Sequence, residues 1–116
     1  MTTAVKARDE GNIRILQIEN PPVNALSWPV RSALVEELNS AQTDESVAAI
    51  VISCAGHTFV AGADISEFGK PPREPKGPAL IAAIEGSSKP VIAAVHGTVL
   101  GGGFELSLAC HYRIAH

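Results

Sequence analysis

Two kinds of apolar run divide the chain. Ile13 to Ile18 (IRILQI) is rich in β-branched residues and reads as a strand, ended by Glu19-Asn20-Pro21-Pro22. After it Ser27 is placed to cap a helix, with Pro29 in the first turn, where its missing N–H costs little. Val30, Ala33, Leu34, Leu38 and Ala41 then recur at helical spacing, with Arg31, Glu36 and Glu37 left to face water. Thr43-Asp44-Glu45-Ser46 breaks that pattern. Val47 to Cys54 (VAAIVISC) is continuously apolar, as expected of a strand covered on both faces in a parallel sheet. Gly69 to Pro78 (GKPPREPKGP) is too proline-rich for a regular element and reads as a mobile surface loop. Pro78 starts a second helix carrying Leu80, Ile81 and Ile84 and ending near Gly86. Val91 to Val95 (VIAAV) is a second buried strand, and His96 to Gly103 (HGTVLGGG) a glycine turn. Phe104 to Cys110 reads as a helix, and Tyr112 to Ala115 as the start of a third inner strand. This order of elements predicts an α/β fold with a largely parallel sheet.

Composition narrows the picture. A chain of 116 residues fits one domain, and with 46% hydrophobic but only 4% aromatic residues its core must be mostly aliphatic. The net charge of -3 offers no broad basic surface, which argues against nucleic acid as a partner. No apolar run approaches the ~20 residues of a membrane span. The opening MTTAVKARDEGN lacks an apolar signal-peptide core, so no secretory signal is expected. Cys54 and Cys110 lie in apolar surroundings without CxxC spacing and read as buried free thiols, consistent with a reducing compartment such as the cytoplasm.

The candidate chemistry lies just after two of the predicted strands, where open parallel sheets place their ligand crevices. Phe59-Val60-Ala61-Gly62-Ala63-Asp64 follows the first, and Gly101-Gly102-Gly103-Phe104-Glu105 follows the second and enters a helix. Consecutive glycines let a ligand approach the backbone, and a helix start offers unpaired N–H groups. With Gly102 at the entry, its N–H and the Glu105 carboxylate share one side of the first turn. That pairing suits an enolate formed from a thioester, because one group stabilises negative charge on oxygen while the other moves a proton nearby. Ala63 is placed to supply a second N–H donor.

AGAD after one strand and GxxLGGGFEL after the next resemble the enoyl-CoA hydratase/isomerase (crotonase) superfamily, and NPPVNALS fits the family's early Pro/Asn-Ala turn. NPPVNALS with LACHYRIA is most similar to the N-terminal part of multifunctional fatty-acid oxidation enzymes of the peroxisomal bifunctional type. The resemblance implies that residues 1–116 are a partial, truncated crotonase-like domain of the ββα spiral type. It implies Ala63 and Gly102 as oxyanion-hole donors and Glu105 as the first of two catalytic glutamates. Acyl-CoA would be held by Ala61, Gly62, Ala63, Asp64, Ile65 and Gly101. His57 stands where many members carry a basic residue near the CoA phosphates. The family's second glutamate would come from beyond His116, so the expectation is half of an active site. The implied reaction is hydration of trans-2-enoyl-CoA or isomerisation of 3-enoyl-CoA in β-oxidation. No metal or redox cofactor is implied, since coenzyme A arrives with the substrate. Also implied are homo-oligomers or further downstream domains, and a location that is cytoplasmic in bacteria or peroxisomal in eukaryotes.

Plainer readings stand beside these. Glu105 also suits a solvated first-turn acid, and Gly101 to Gly103 a tight packing turn. Asp64 reads better as a cap for the following turn than as a catalytic acid. His57, His96, His111 and His116 lack metal-ligand spacing and read as packing or surface residues. Trp28 covers the start of its helix or borders an acyl channel. Rival functions are a non-catalytic acyl-CoA-binding fragment, another crotonase chemistry, and a Rossmann-type nucleotide binder. The last is disfavoured by the missing GxGxxG.

Overall fold

In a computed structural model the structure describes residues 4–21, 24–56, 59, 69, 71, 73–96, 106 and 109–115. Five strands form one sheet in sequential order: β1 (Val5–Glu10), β2 (Ile13–Ile18), β3 (Ala49–Cys54), β4 (Val91–Val95) and β5 (Tyr112–Ala115). β1 pairs antiparallel with β2, and every later pairing is parallel. Among the described residues α1 (Trp28–Thr43) makes the crossover from β2 to β3, and α2 (Gly77–Glu85) that from β3 to β4.

β1 was not expected from the sequence. Its burial pattern explains why: only Val5 is buried and the other five residues are exposed, so VKARDE shows no alternation. It is held by pairing rather than by packing. The register Glu10↔Ile13 leaves Gly11-Asn12 as a two-residue turn, with Gly11 at φ 61°. A glycine at the first turn position is what a primed hairpin turn favours.

Helical spacing turns one face of α1 inward, burying Val30, Leu34, Leu38 and Ala41. α2 contributes Leu80 and Ile84, and the sheet contributes Leu16, Ile18, Ile50, Ile52, Val91 and Ala93. Together they form the aliphatic core that the composition required, with Phe59 as its largest buried side chain. Each such Leu or Ile stabilises the fold by roughly 1.5–3 kcal/mol before entropy is counted.

Several expectations need correction. β3 begins at Ala49 rather than Val47, because Val47 N–H bonds Asp44 O (3.0 Å) and Ala48 N–H bonds Asn12 O (2.7 Å), outside the ladder. Nor is β3 covered equally on both faces. Ile50, Ile52 and Cys54 are buried, while Ala49, Val51 and Ser53 are only half-buried. Among the described residues β5 is the outermost strand, and Tyr112 and Ile114 are 64% and 63% exposed.

Ser27 occupies the N-cap of α1, but its side chain makes no capping hydrogen bond; its hydroxyl accepts from Asn20 Nδ2 at 3.2 Å. Arg31, expected to face water, donates from Nε to Pro75 O (2.8 Å) and from its guanidinium to Leu26 O (2.6 Å). Trp28 Nε1 donates to Glu74 O (2.7 Å), and the Arg73 guanidinium stacks 3.6 Å from the Trp28 ring centroid. In the proline-rich segment the described residues before Gly77 lie outside regular structure, as expected, while Gly77 and Pro78 already belong to α2, and Glu74 and Pro75 are pinned to α1. At the other end of α1, Lys89 Nζ donates to Ala41 O and to Asp44 O (2.6 Å), satisfying carbonyls that a helix terminus leaves open.

Candidate functional site

The carboxyl ends of β2, β3 and β4 share one edge of the sheet, and the turns leaving them meet there. The turn after β2 is built by side-chain amides. Asn24 is buried, with φ 53°, a conformation that Asn tolerates better than most residues. Its Oδ1 accepts from Asn20 N–H (2.8 Å), and its Nδ2 donates to Ala55 O (2.8 Å), just past β3. Asn20 Nδ2 in turn donates to Ala25 O (2.9 Å). Asn20 and Asn24 therefore tie the NPPVNALS turn to the exit of β3. In the sequence these residues had been read only as part of a turn.

Across the sheet, His96 follows β4. Its Nε2 lies 2.8 Å from Gly56 O, and its own carbonyl accepts from Phe59 N–H at 3.1 Å. Since a carbonyl can only accept, Nε2 carries the proton. The turns after β2 and β3 border an open depression of about 250 Å³, lined among the described residues by Glu19, Pro21, Asn24, Ala55 and Gly56.

A second depression, of about 370 Å³, is lined by Ala7, Arg8, Asp9, Arg14 and Glu37. It lies at the opposite, amino-terminal end of β2 and holds an ion network. Arg14, with its side chain only 13% exposed, donates to Asp9 (2.8 and 3.0 Å) and to Asp44 (2.9 Å). Hydrogen bonding from Arg14 holds the Asp9 carboxyl below its ordinary value. The Ser46 hydroxyl and N–H, and then Arg14, do the same for Asp44. The two carboxylates push the Arg14 guanidinium upward. All its charges have partners, so this network fastens the β1–β2 hairpin to the end of α1.

The expected site residues Ala61, Gly62, Ala63, Asp64, Ile65, Gly101, Gly102 and Glu105 lie outside the described residues, as do His57 and His116. Their neighbours are described: Phe59 and Leu106 are both fully buried. His111 is exposed, its Nδ1 accepting from Val91 N–H at 3.0 Å. Cys54 and Cys110 are buried free thiols, as expected, and burial pushes the Cys110 thiol up to about 12. Among the described residues no helix is long and apolar enough to cross a membrane.

The chain belongs to the enoyl-CoA hydratase/isomerase family, whose model matches residues 8–116. It is 50% identical over 105 residues to the peroxisomal bifunctional enzyme of Danio rerio, covering 90% of this chain and 15% of that protein. A probable enoyl-CoA hydratase of Bacillus subtilis is 44% identical over 110 residues, covering 89% of this chain and 43% of that one. Among solved structures, DspI of Pseudomonas aeruginosa superposes with a TM-score of 0.91 at 26% identity, over 99% of this chain and 50% of that one. The crotonase-like fold expected from the sequence holds. The chain spans about 15% of the length of the bifunctional enzyme and half that of DspI.

Proposed function

We propose that this chain contributes the oxyanion-holding half of an enoyl-CoA hydratase/isomerase active site in fatty-acid β-oxidation. Family membership over residues 8–116 carries the reading, together with the position of the AGAD and GGGFE motifs directly after β3 and β4. The substrate is an acyl-CoA thioester, with coenzyme A entering as part of it and no separate cofactor assigned. Backbone N–H groups of Ala63 and Gly102 donate hydrogen bonds to the thioester oxygen as negative charge develops on it. The Glu105 carboxylate holds water or moves a proton beside the reacting carbon. Ala61, Gly62, Asp64, Ile65 and Gly101 supply backbone contacts to the ligand. A multifunctional or homo-oligomeric parent follows from the same reading, with a peroxisomal location if it is eukaryotic.

The test is hydration of crotonyl-CoA, followed as loss of enoyl-thioester absorbance, for the wild type and for Glu105→Gln. The substitution should lower turnover by about 10²–10⁴ while leaving thioester binding intact. Equal turnover in the two proteins would remove Glu105 from the chemistry. Binding without turnover in the wild type would leave this chain as half of an active site that cannot complete the reaction alone.

A further inference from the structure

We infer that His96 is a positioning residue that fixes one wall of the thioester-binding edge. The inference rests on the function proposed above. The last paired residues of β3 and β4 are Ile52 and Ala93. Beyond that point a parallel pair is free to splay, and the width of the gap decides what can enter. Among the described residues, two contacts bridge the strands past the end of their ladder, and both come from His96. Its carbonyl accepts from Phe59 N–H at 3.1 Å, and its Nε2–H reaches Gly56 O at 2.8 Å.

Gly56 is the residue that gains most from this contact. At φ 80° it occupies a conformation that suits glycine, and a Cβ there would meet nothing within 4 Å. Side-chain hydrogen bonds hold the carbonyls on either side of its Cα. Asn24 Nδ2 holds the preceding carbonyl, Ala55 O, at 2.8 Å, and His96 Nε2 holds Gly56 O at 2.8 Å. Asn24, Ala55 and Gly56 all line the 250 Å³ depression, whereas His96 does not. His96 thus holds the carbonyl of a residue in the depression's wall without lining the depression itself. A ligand meeting a wall already held in one orientation binds without the cost of ordering it.

His96→Leu removes the imidazole but keeps the backbone bond to Phe59, and Gly56 O is exposed enough to find water. The melting temperature should therefore fall by no more than about 4 °C, the scale of one hydrogen bond in a domain of this size. The Kd for crotonyl-CoA, measured by titration calorimetry, should rise about tenfold. His96→Gln, whose amide N–H reaches to a similar distance, should restore binding to within about threefold of wild type. Nitrogen NMR of the imidazole should show the proton on Nε2.

A neutral imidazole protonated on Nδ1 instead overturns the inference. So does a His96→Leu protein that binds like wild type, or a His96→Gln protein no better than His96→Leu. A wild-type chain that binds no thioester overturns the proposed function and this inference together, and is told apart because no variant is needed to see it.

Discussion

Replacing Asn24 removes a single side chain on which two turns depend. In Asn24→Ala, Asn20 N–H loses its acceptor and Ala55 O loses its donor, each held at 2.8 Å in the native protein. At a partly buried position each lost bond costs about 1 kcal/mol, and more where water cannot replace the partner. The backbone adds to this. Asn24 sits at φ 53°, and alanine in the left-handed region costs about 1–2 kcal/mol, which asparagine largely avoids. The sum is about 3–4 kcal/mol, a large share of the 5–15 kcal/mol that holds an ordinary domain together. In a domain of this size that corresponds to a fall in melting temperature of about 12–16 °C. Asn24→Gly separates the two contributions, because it loses the same hydrogen bonds but accepts the positive φ. Its greater freedom in the unfolded chain offsets part of that relief, leaving it about 0.5–1 kcal/mol more stable than the alanine variant. Thermal melts followed by circular dichroism, with urea titrations alongside, measure both differences. An alanine variant melting within about 2 °C of wild type would refute the hydrogen-bond argument. A glycine variant no more stable than the alanine one would refute the backbone argument.

Two further outcomes follow from the charges and thiols. Asp9 and Asp44 titrate below their ordinary 3.8 in the folded protein, so their contribution is present above that value and is lost as the pH falls through the lowered one. Arg14→Met removes the shared partner and should flatten the fall in urea midpoint below about pH 4; an unchanged acid limb would show that Arg14 is not the source. With the Cys110 thiol raised to about 12 and both cysteines buried, native protein should react slowly with a thiol reagent near neutral pH, and both should react once it is unfolded. Fast stoichiometric labelling of native protein would contradict that burial.

What the sequence revealed and what it hid divides along physical lines. β2, β4 and β5 were legible within their observed bounds, and α1 and α2 to within a residue, because their apolar periodicities reflect what they bury. β1 was hidden because its stability comes from backbone pairing, which leaves no trace in residue type; the only clue was Gly11-Asn12 between two runs. The contacts of Arg31 and His96 were hidden for a related reason. A cation at a helical outward position and a histidine after a strand look like surface residues until the fold brings carbonyls 2.8 Å away. The Asn20–Asn24 pair was half legible: NPPVNALS announced a turn, but not that it reaches across to Ala55. The reactive residues themselves were read from motifs alone, since Ala63, Gly102 and Glu105 lie outside the described residues.

The pinning of the proline-rich segment bears on which changes of length the chain can accept. Trp28 and Arg31 stand about one helical turn apart on α1 and take the carbonyls of two successive residues, Glu74 and Pro75. They index the entry to α2 as two teeth engage a ratchet. One residue inserted or deleted between Arg73 and Gly77 shifts both carbonyls out of step with both donors at once. Surface loops generally absorb such changes at little cost. Here, at the doorway of α2, the chain length is set by a helix more than forty residues upstream in the contacts it makes.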